Sequence, residues 1–180
     1  MEPRRRRIDR VTDPEYVEDL EGVSVDELRE RRAVLDELDT ELSYYRRMLH
    51  GRMDLLSFEL RRRSGEETRT LVEALPQILA DGVGGTHRSP IPKELPLDPP
   101  DAGGEDRHPV DTILQDDFLA HLPTIDDDEL IAIQSTLTDA EHIISKERRE
   151  VYEVYDVINA ELTRRYKEGL ADAGDLLTDR

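Results

Sequence analysis

The sequence of 180 residues contains no cysteine, which excludes a disulfide framework and a thiolate metal site. It also contains no tryptophan, and aromatic residues make up only 4% of it, whereas 38% of its residues are charged. A large globular core is therefore not expected. A few long amphipathic helices with solvated faces fit this composition better.

Long apolar stretches are missing as well. No apolar run approaches the length of about 18 residues that a membrane helix needs, and Met1 to Val11 lacks the apolar centre of a signal peptide. We therefore expect a cytoplasmic protein without membrane contact. The net charge of −18 argues against direct DNA binding and favours a basic protein partner. The alternative is that the acidic charge only maintains solubility.

One polar pattern occurs twice, with every position offset by 102 residues. Its steps of three and four residues place the side chains of each copy in one stripe along one helix face. The first copy is Asp39, Ser43, Arg46, His50 and Asp54, and the second is Glu141, Ser145, Arg148, Tyr152 and Asp156. Two such stripes predict a surface that holds an elongated polar molecule.

Each copy lies in a predicted long helix. Ser24 and Glu27 form a capping box ahead of the first helix, and Asp126 and Glu129 repeat that spacing ahead of the second. Near-heptad apolar positions in both helices predict packing against a long partner helix. The first helix offers Leu28, Leu35, Leu38, Leu42, Leu49, Met53, Leu56 and Leu60, and the second offers Leu130, Ile133, Leu137, Ile144, Val151, Tyr155, Ile158 and Leu162.

The remaining segments have other compositions. Residues 82–109 hold six of the ten prolines and five of the ten glycines, which is typical of a linker, and short helices are expected at 66–81, where Pro76 would kink or truncate the helix, and around 111–121. We predict five parts, namely a disordered basic tail (1–19), motif helix 1 (20–65), a connector with short helices and a Pro/Gly-rich linker (66–123), motif helix 2 (124–168) and an acidic tail (169–180).

The two long helices align without a gap. Residues 20–63 and 122–165 share 13 identities in 44 positions, which indicates an internal duplication. The connection is long enough for either orientation, and antiparallel packing would relate the stripes by a pseudo-two-fold axis. We therefore predict an all-α fold, an antiparallel two-helix coiled-coil hairpin with short connector helices.

The stripe has the chemistry of a guanine-nucleotide site. Arginine pairs bidentately with phosphate or with the O6/N7 edge of guanine, and a carboxylate accepts from the N1–H and N2–H₂ donors that adenine lacks. A purine can stack on a guanidinium or on Tyr152. Arg46, Arg47, Arg148 and Arg149 supply local positive charge in an acidic chain. The simpler alternative is a solvated helix face laced with ion pairs.

Enzyme and metal functions have less support. His50 and Asp54 have metal-ligand spacing, but the second copy has Tyr152 in the position of the histidine. The sequence has no Gly-rich phosphate loop, no nucleophile elbow and no context for a histidine-based triad. We therefore expect neither catalysis nor a metal, and no cofactor.

The double motif resembles the RsiG family of actinobacterial anti-sigma factors, which carries E-x3-S-x2-R-x3-Q-x3-D once on each of two coiled-coil helices. This sequence reads D-x3-S-x2-R-x3-H-x3-D and E-x3-S-x2-R-x3-Y-x3-D, and the resemblance covers roughly 85 of its 180 residues. It implies a cyclic di-GMP sensor that holds the nucleotide as a dimer between the motif helices. The loaded form would sequester a WhiG-type sigma factor and repress its transcription programme, as in sporulation.

The resemblance assigns roles position by position. Asp39 and Glu141 match the leading acid of the family motif, and Arg46 and Arg148 match its arginine. The remaining matches are Ser43 and Ser145 to the serine, and Asp54 and Asp156 to the closing acid. His50 and Tyr152 depart from the family glutamine, although both can donate hydrogen bonds and stack. The alternative function is a ligand-free coiled-coil adaptor for a basic protein partner.

Overall fold

A computed structural model describes residues 6–83, 108–114 and 121–169. Over these residues every regular element is helical and no strand is present, which confirms the all-α prediction. The α-helices are α1 (Arg7–Val11), α2 (Val25–Ser64), α3 (Leu71–Val83), α4 (Val110–Leu114) and α5 (Asp127–Lys167). Two 3₁₀ turns, Pro14–Val17 and Leu20–Gly22, connect α1 to α2.

The two long helices begin at the caps that the sequence predicts. Ser24 Oγ accepts the N–H of Glu27 at 3.2 Å, and Asp126 Oδ1 accepts the N–H of Glu129 at 2.8 Å. Each cap satisfies one of the backbone donors that the first turn of a helix leaves unpaired. α2 and α5 therefore begin a few residues after the predicted starts at 20 and 124, because the residues ahead of each cap are not α-helical.

The chain divides into two compact units, and each unit combines one part of α2 with one part of α5. The described part of the first unit is 6–40 and 147–169, and that of the second is 41–83, 108–114 and 121–146. Each unit has its own apolar core. The first buries Leu28, Leu35, Leu38, Val151, Ile158 and Leu162, and the second buries Leu42, Tyr45, Leu49, Leu56, Phe58, Leu130, Leu137 and Ile144.

Most of the predicted apolar stripe lies in these cores. Only Met53, Leu60, Ile133 and Tyr155 of the sixteen predicted positions are half-buried, and the other twelve are buried. Leu28, Leu35 and Leu49 are fully inaccessible to solvent. The near-heptad spacing therefore identified the packed face of both helices correctly.

Polar contacts within each unit pair the two helices in opposite chain directions. In the first unit Arg29 contacts Tyr166 and Asp39 contacts Arg148. In the second unit Arg46 contacts Glu141, and Arg63, farther along α2, contacts Asp127, which lies earlier in the chain than Glu141. The antiparallel hairpin as a whole stays a prediction.

The segment ahead of α2 differs from the disordered tail that we predicted over 1–19. From Arg6 onward it is ordered, with α1 burying Ile8 and Val11. The guanidinium of Arg6 reaches Glu147 Oε1 at 3.0 Å, and Arg7 pairs with Glu37 at 2.7 Å. A local basic pattern suggests a solvated tail, but carboxylates distant in sequence neutralise these arginines. Residues 1–5 lie outside the described part.

The connector is described only in part. Pro76 lies inside α3 instead of ending it, and of the helix predicted around 111–121 the structure describes α4 and, near the far end, His121. The described residues exclude most of the predicted linker. They also exclude residues 115–120 and the part of the acidic tail beyond Gly169. Within the described part, no helix combines the length and the apolar character that crossing a membrane requires.

The duplication extends farther towards the N-terminus than residue 20. Ile8 in α1 and Val110 in α4 are both buried and lie 102 residues apart, as do the buried residues Leu20 and Leu122. Each unit therefore contains a short helix and an apolar anchor at equivalent sequence positions. The repeated element is a long helix together with the segment that leads into it.

Candidate ligand-binding site

In the second unit, three residues of the repeated motif contact the carboxylate of a fourth, Glu141. Arg46 Nε donates to Glu141 Oε1 at 3.1 Å and to Ser145 Oγ at 3.2 Å. Ser145 Oγ in turn donates to Glu141 Oε1 at 2.7 Å, and His50 Nε2 lies 3.2 Å from the same oxygen. Arginine and histidine come from α2, whereas acid and serine come from α5, so both motif copies contribute to this cluster.

In the first unit, three motif residues make the corresponding arrangement. Arg148 Nε donates to Asp39 Oδ1 at 3.0 Å, and Arg148 Nη2 donates to the Tyr152 hydroxyl at 2.8 Å. The guanidinium carbon of Arg148 lies 5.0 Å from the centre of the Tyr152 ring, within the range of a cation–π contact. The arginine and tyrosine come from α5 here, and the acid comes from α2.

The two clusters are reciprocal. The arginine of each motif copy pairs with the leading acid of the other copy, as Arg46 with Glu141 and Arg148 with Asp39. The arginine side chains are 28% and 20% exposed, and both acids are 15% exposed. These groups are shielded enough to strengthen their pairing, yet solvent still reaches the guanidinium groups that a ligand would have to contact.

Two predicted site residues, Asp54 and Asp156, do not join these clusters through a contact within the described part of the chain. Ser43 and Asp54 are half-buried, and Asp156 is exposed. Within residues 6–83, 108–114 and 121–169, neither Asp54 nor Asp156 has a hydrogen-bond or ion-pair partner. The structure therefore brings together Arg46, His50, Glu141 and Ser145 in one unit and Asp39, Arg148 and Tyr152 in the other.

The matched segment of a known family contains the first of these motif copies. Residues 14–79 match the model of the RsiG-like family. Over these residues, which make up less than half of the 180-residue chain, the sequence is similar to that family. The matched segment includes α2 and most of α3 but not α5, and no curated protein matches the chain.

The carboxyl group at the centre of the second-unit cluster, that of Glu141, has a lowered pKa. Burial raises the pKa of Glu141, but hydrogen bonds from Ser145, His50 and Arg46 outweigh it and lower the pKa from 4.5 to about 2. Hydrogen bonds to a carboxylate and a nearby guanidinium both stabilise the ionised form of the carboxyl group. Glu141 therefore stays charged, and keeps Arg46 paired, through the whole neutral and mildly acidic range.

We expect the charge of Glu141 to contribute to stability in a pH-dependent way. Because its folded pKa lies below its unfolded pKa, the contribution is fully present above about pH 4.5 and is lost as the pH falls towards 2. Glu141→Gln should lower the free energy of unfolding by about 1–3 kcal/mol at pH 7 and by much less at pH 3. Urea denaturation at both pH values measures this difference.

The control for this variant is Asp139→Asn, which removes an exposed carboxylate two residues away on the same helix. We expect its effect on the free energy of unfolding to stay within about 0.5 kcal/mol at both pH values. An equal loss of stability at pH 7 and pH 3 in Glu141→Gln would contradict the lowered pKa.

The structure shows a second repeated arrangement, an acid that pairs with two arginines near the end of each long helix, which the motif does not include. Glu59 is 3% exposed and accepts hydrogen bonds from Arg62 and Arg63, and Glu161 makes the equivalent contacts with Arg164 and Arg165. These six residues form three identical pairs at the offset of 102 residues, and this identity was the signal available in the sequence. Within the described part of the chain, no cluster of three or more potential metal ligands is present.

Proposed function

We propose that this protein is an anti-sigma factor that binds cyclic di-GMP through its two motif clusters and, when loaded, sequesters a WhiG-type sigma factor. The proposal includes the finer fold prediction, an antiparallel hairpin of α2 and α5, and a role in binding without catalysis. The observation that carries it is the reciprocal pairing of Arg46 with Glu141 and of Arg148 with Asp39. The family match supports the anti-sigma part of the proposal.

An arginine beside a carboxylate matches the two edges of guanine. The guanidinium can donate to O6 and N7, and the carboxylate can accept from N1–H and N2–H₂. In each unit these two groups come from different helices and lie about 3 Å apart. A guanine base that enters the cluster would exchange the direct pair for two sets of hydrogen bonds and so contact both helices at once.

The phosphates of the nucleotide need positive charge in a chain of net charge −18. Arg47 and Arg149 are exposed and follow the motif arginines directly, so they place four guanidinium groups near the two clusters. Local positive charge within an acidic molecule attracts a small dianionic ligand. It does not favour long nucleic acid, because a long polyanion is also repelled by the negative charge of the rest of the chain.

The two clusters would treat the nucleotide differently. His50 contacts the acid of its cluster, whereas the Tyr152 hydroxyl accepts a hydrogen bond from the arginine of the other cluster. Tyr152 also offers a ring face close to a guanidinium, which is the arrangement on which a purine stacks. We therefore propose that both departures from the family glutamine keep the site functional with unequal contacts in the two units.

Gating of the sigma factor follows from thermodynamic linkage. If the nucleotide binds the sigma-competent arrangement of the helices more tightly than other arrangements, it raises the affinity for the sigma factor by up to the ratio of those two nucleotide affinities. The acidic surface of the chain would then meet the basic DNA-binding and core-binding regions of the sigma factor, which explains the charge of −18.

A pull-down of the WhiG-type sigma factor tests the gating. We expect the immobilised protein to retain the sigma factor at least 10-fold better in the presence of saturating cyclic di-GMP than without nucleotide, because allosteric coupling is typically 5- to 150-fold. GMP at the same concentration is the control and should change nothing. Equal retention under all three conditions would reject nucleotide gating.

The second candidate function is a ligand-free coiled-coil adaptor. This adaptor is favoured by one observation, namely that Arg46 and Arg148 pair with carboxylates of the chain itself. Ion pairs at the flank of a helix seam can fix pairing and register by themselves. The adaptor predicts that the sigma factor, or another basic partner, binds equally well with and without cyclic di-GMP.

A further inference from the structure

Arg63, near the end of α2, binds the segment that leads into α5. Its guanidinium donates to the backbone carbonyl of Ile125 at 2.7 Å, to that of Leu122 at 2.9 Å and to Asp127 Oδ1 at 2.7 Å. Its Nε donates to Glu59 Oε1 at 2.8 Å, which holds the side chain in place. One side chain thus joins the end of one helix to the start of the other.

Arg165, near the end of α5, makes the equivalent contacts in the first unit. It donates to the carbonyls of Val23 and Leu20, both at 2.6 Å, and to that of Glu21 at 3.3 Å, and Glu161 holds its Nε at 2.7 Å. The arginine is only 7% exposed. Arginine, supporting acid and two of the carbonyls all lie 102 residues from their counterparts, so the duplication has kept the complete arrangement.

We propose that Arg63 and Arg165 are positioning residues that fix the axial register at which Arg46 meets Glu141 and Arg148 meets Asp39. Each terminal arginine lies 17 residues beyond the motif arginine of the same helix and the same unit. That separation is about 25 Å along a helix with a rise of 1.5 Å per residue. A continuous helix carries an axial shift at one end to the other.

The apolar seam alone does not define this register. Its buried positions are mostly leucine and isoleucine at near-heptad spacing, so a slipped pairing would again bring similar side chains together. The arginine contacts are different because they depend on direction and distance. A slip by one helical turn moves a guanidinium about 5.4 Å, which breaks its bonds to all the carbonyls at once.

The neighbouring arginines provide a matched control. Arg62 donates to both oxygens of Glu59, and Arg164 does the same with Glu161, but the structure shows neither of them bonded to a carbonyl of the opposite helix start. Removing Arg62 therefore takes the same charge from the same carboxylate as removing Arg63. It leaves the contact between the two helices in place.

The pKa of Glu141 reports the register without any ligand. It is about 2 only while Ser145, His50 and Arg46 bond the carboxylate, and a slip would part Glu141 from the two α2 residues. Carboxyl-carbon NMR titration should show the pKa of Glu141 at least 1 unit above the wild-type value in Arg63→Ala and equal to the wild-type value in Arg62→Ala. A wild-type pKa of Glu141 in folded Arg63→Ala overturns the proposal.

Arg63→Lys serves if the alanine variant fails to fold. Lysine keeps the charge near Glu59 and Asp127, but its single ammonium group cannot reproduce the planar fork that spans two carbonyls. We expect a smaller rise in the pKa of Glu141 in this variant, and a value equal to that of the wild type overturns the proposal.

A second arm links the register to the ligand, and this link rests on the proposed function. By calorimetry, Arg63→Ala with Arg165→Ala should weaken cyclic di-GMP binding at least 10-fold, whereas Arg62→Ala with Arg164→Ala should leave it within 2-fold. Absence of binding by the wild type would reject the proposed function, and the NMR result would still decide the positioning role. Wild-type-like binding by the Arg63 and Arg165 variant would overturn the link.

Discussion

Replacing Arg46 and Arg148 together by alanine is expected to weaken cyclic di-GMP binding by about 100-fold or more. Each guanidinium would make paired hydrogen bonds to guanine or phosphate, and one such pair contributes about 1–3 kcal/mol. The loss exceeds that of the contacts alone, because Glu141 and Asp39 would then face the dianionic ligand without their cations. Isothermal titration calorimetry against the wild type measures the change in dissociation constant.

The control is the double variant Arg47→Ala and Arg149→Ala. It removes the same charge from the adjacent positions of both repeats, but these side chains are exposed and lie outside the two clusters. We expect a loss of affinity below about 5-fold, which reflects weaker long-range attraction only. Similar losses in both double variants would show that net charge, and not the Arg–acid clusters, governs binding.

Replacing Leu49 by alanine should cause a large loss of stability. Leu49 lies in the predicted apolar stripe of α2 and is completely buried in the second unit. Truncating a fully buried leucine removes transfer free energy and leaves a cavity, and such changes lower the free energy of unfolding by about 2–5 kcal/mol. Urea denaturation followed by circular dichroism in the far ultraviolet measures the change.

Met48→Ala is the neighbouring control, because Met48 is 38% exposed. Both changes place alanine in the same turn of α2, so any difference between them comes from burial and not from helix propensity. We expect Met48→Ala to change the free energy of unfolding by less than about 1 kcal/mol. A loss as large as that of Leu49→Ala would mean that α2 packs through a different face.

The long helices could be predicted because their signals are local. A capping box or a cap residue fixes the start of each helix, and near-heptad apolar spacing fixes the buried face, so Ser24, Asp126 and the leucine stripe were all identified from the sequence. α1 was not predicted, because its order depends on Arg6 and Glu147, which lie 141 residues apart. A pattern within a short window contains no information about such a pair.

The site could be predicted only in part for the same reason. The duplicated spacing identified the residues that meet, but it gave no indication that each arginine would pair with the acid of the opposite copy. The spacing also predicted that the closing acids, Asp54 and Asp156, belong to the site. In the part of the chain that the structure describes, neither of them pairs with an arginine. Which polar residues pair depends on how the helices are offset, and periodicity does not specify that offset.

Because each cluster takes its arginine from one repeat and its acid from the other, half of this polypeptide cannot assemble either cluster by itself. A gene split between the two repeats would encode two fragments. Each fragment would contain one complete motif in its sequence but would lack the arginine or the acid that completes each cluster. Only reassociation of the fragments would restore the Arg–acid pairs. A peptide with a single repeat would therefore have to self-associate to form the same contacts, whereas in one chain with both repeats that encounter does not depend on concentration.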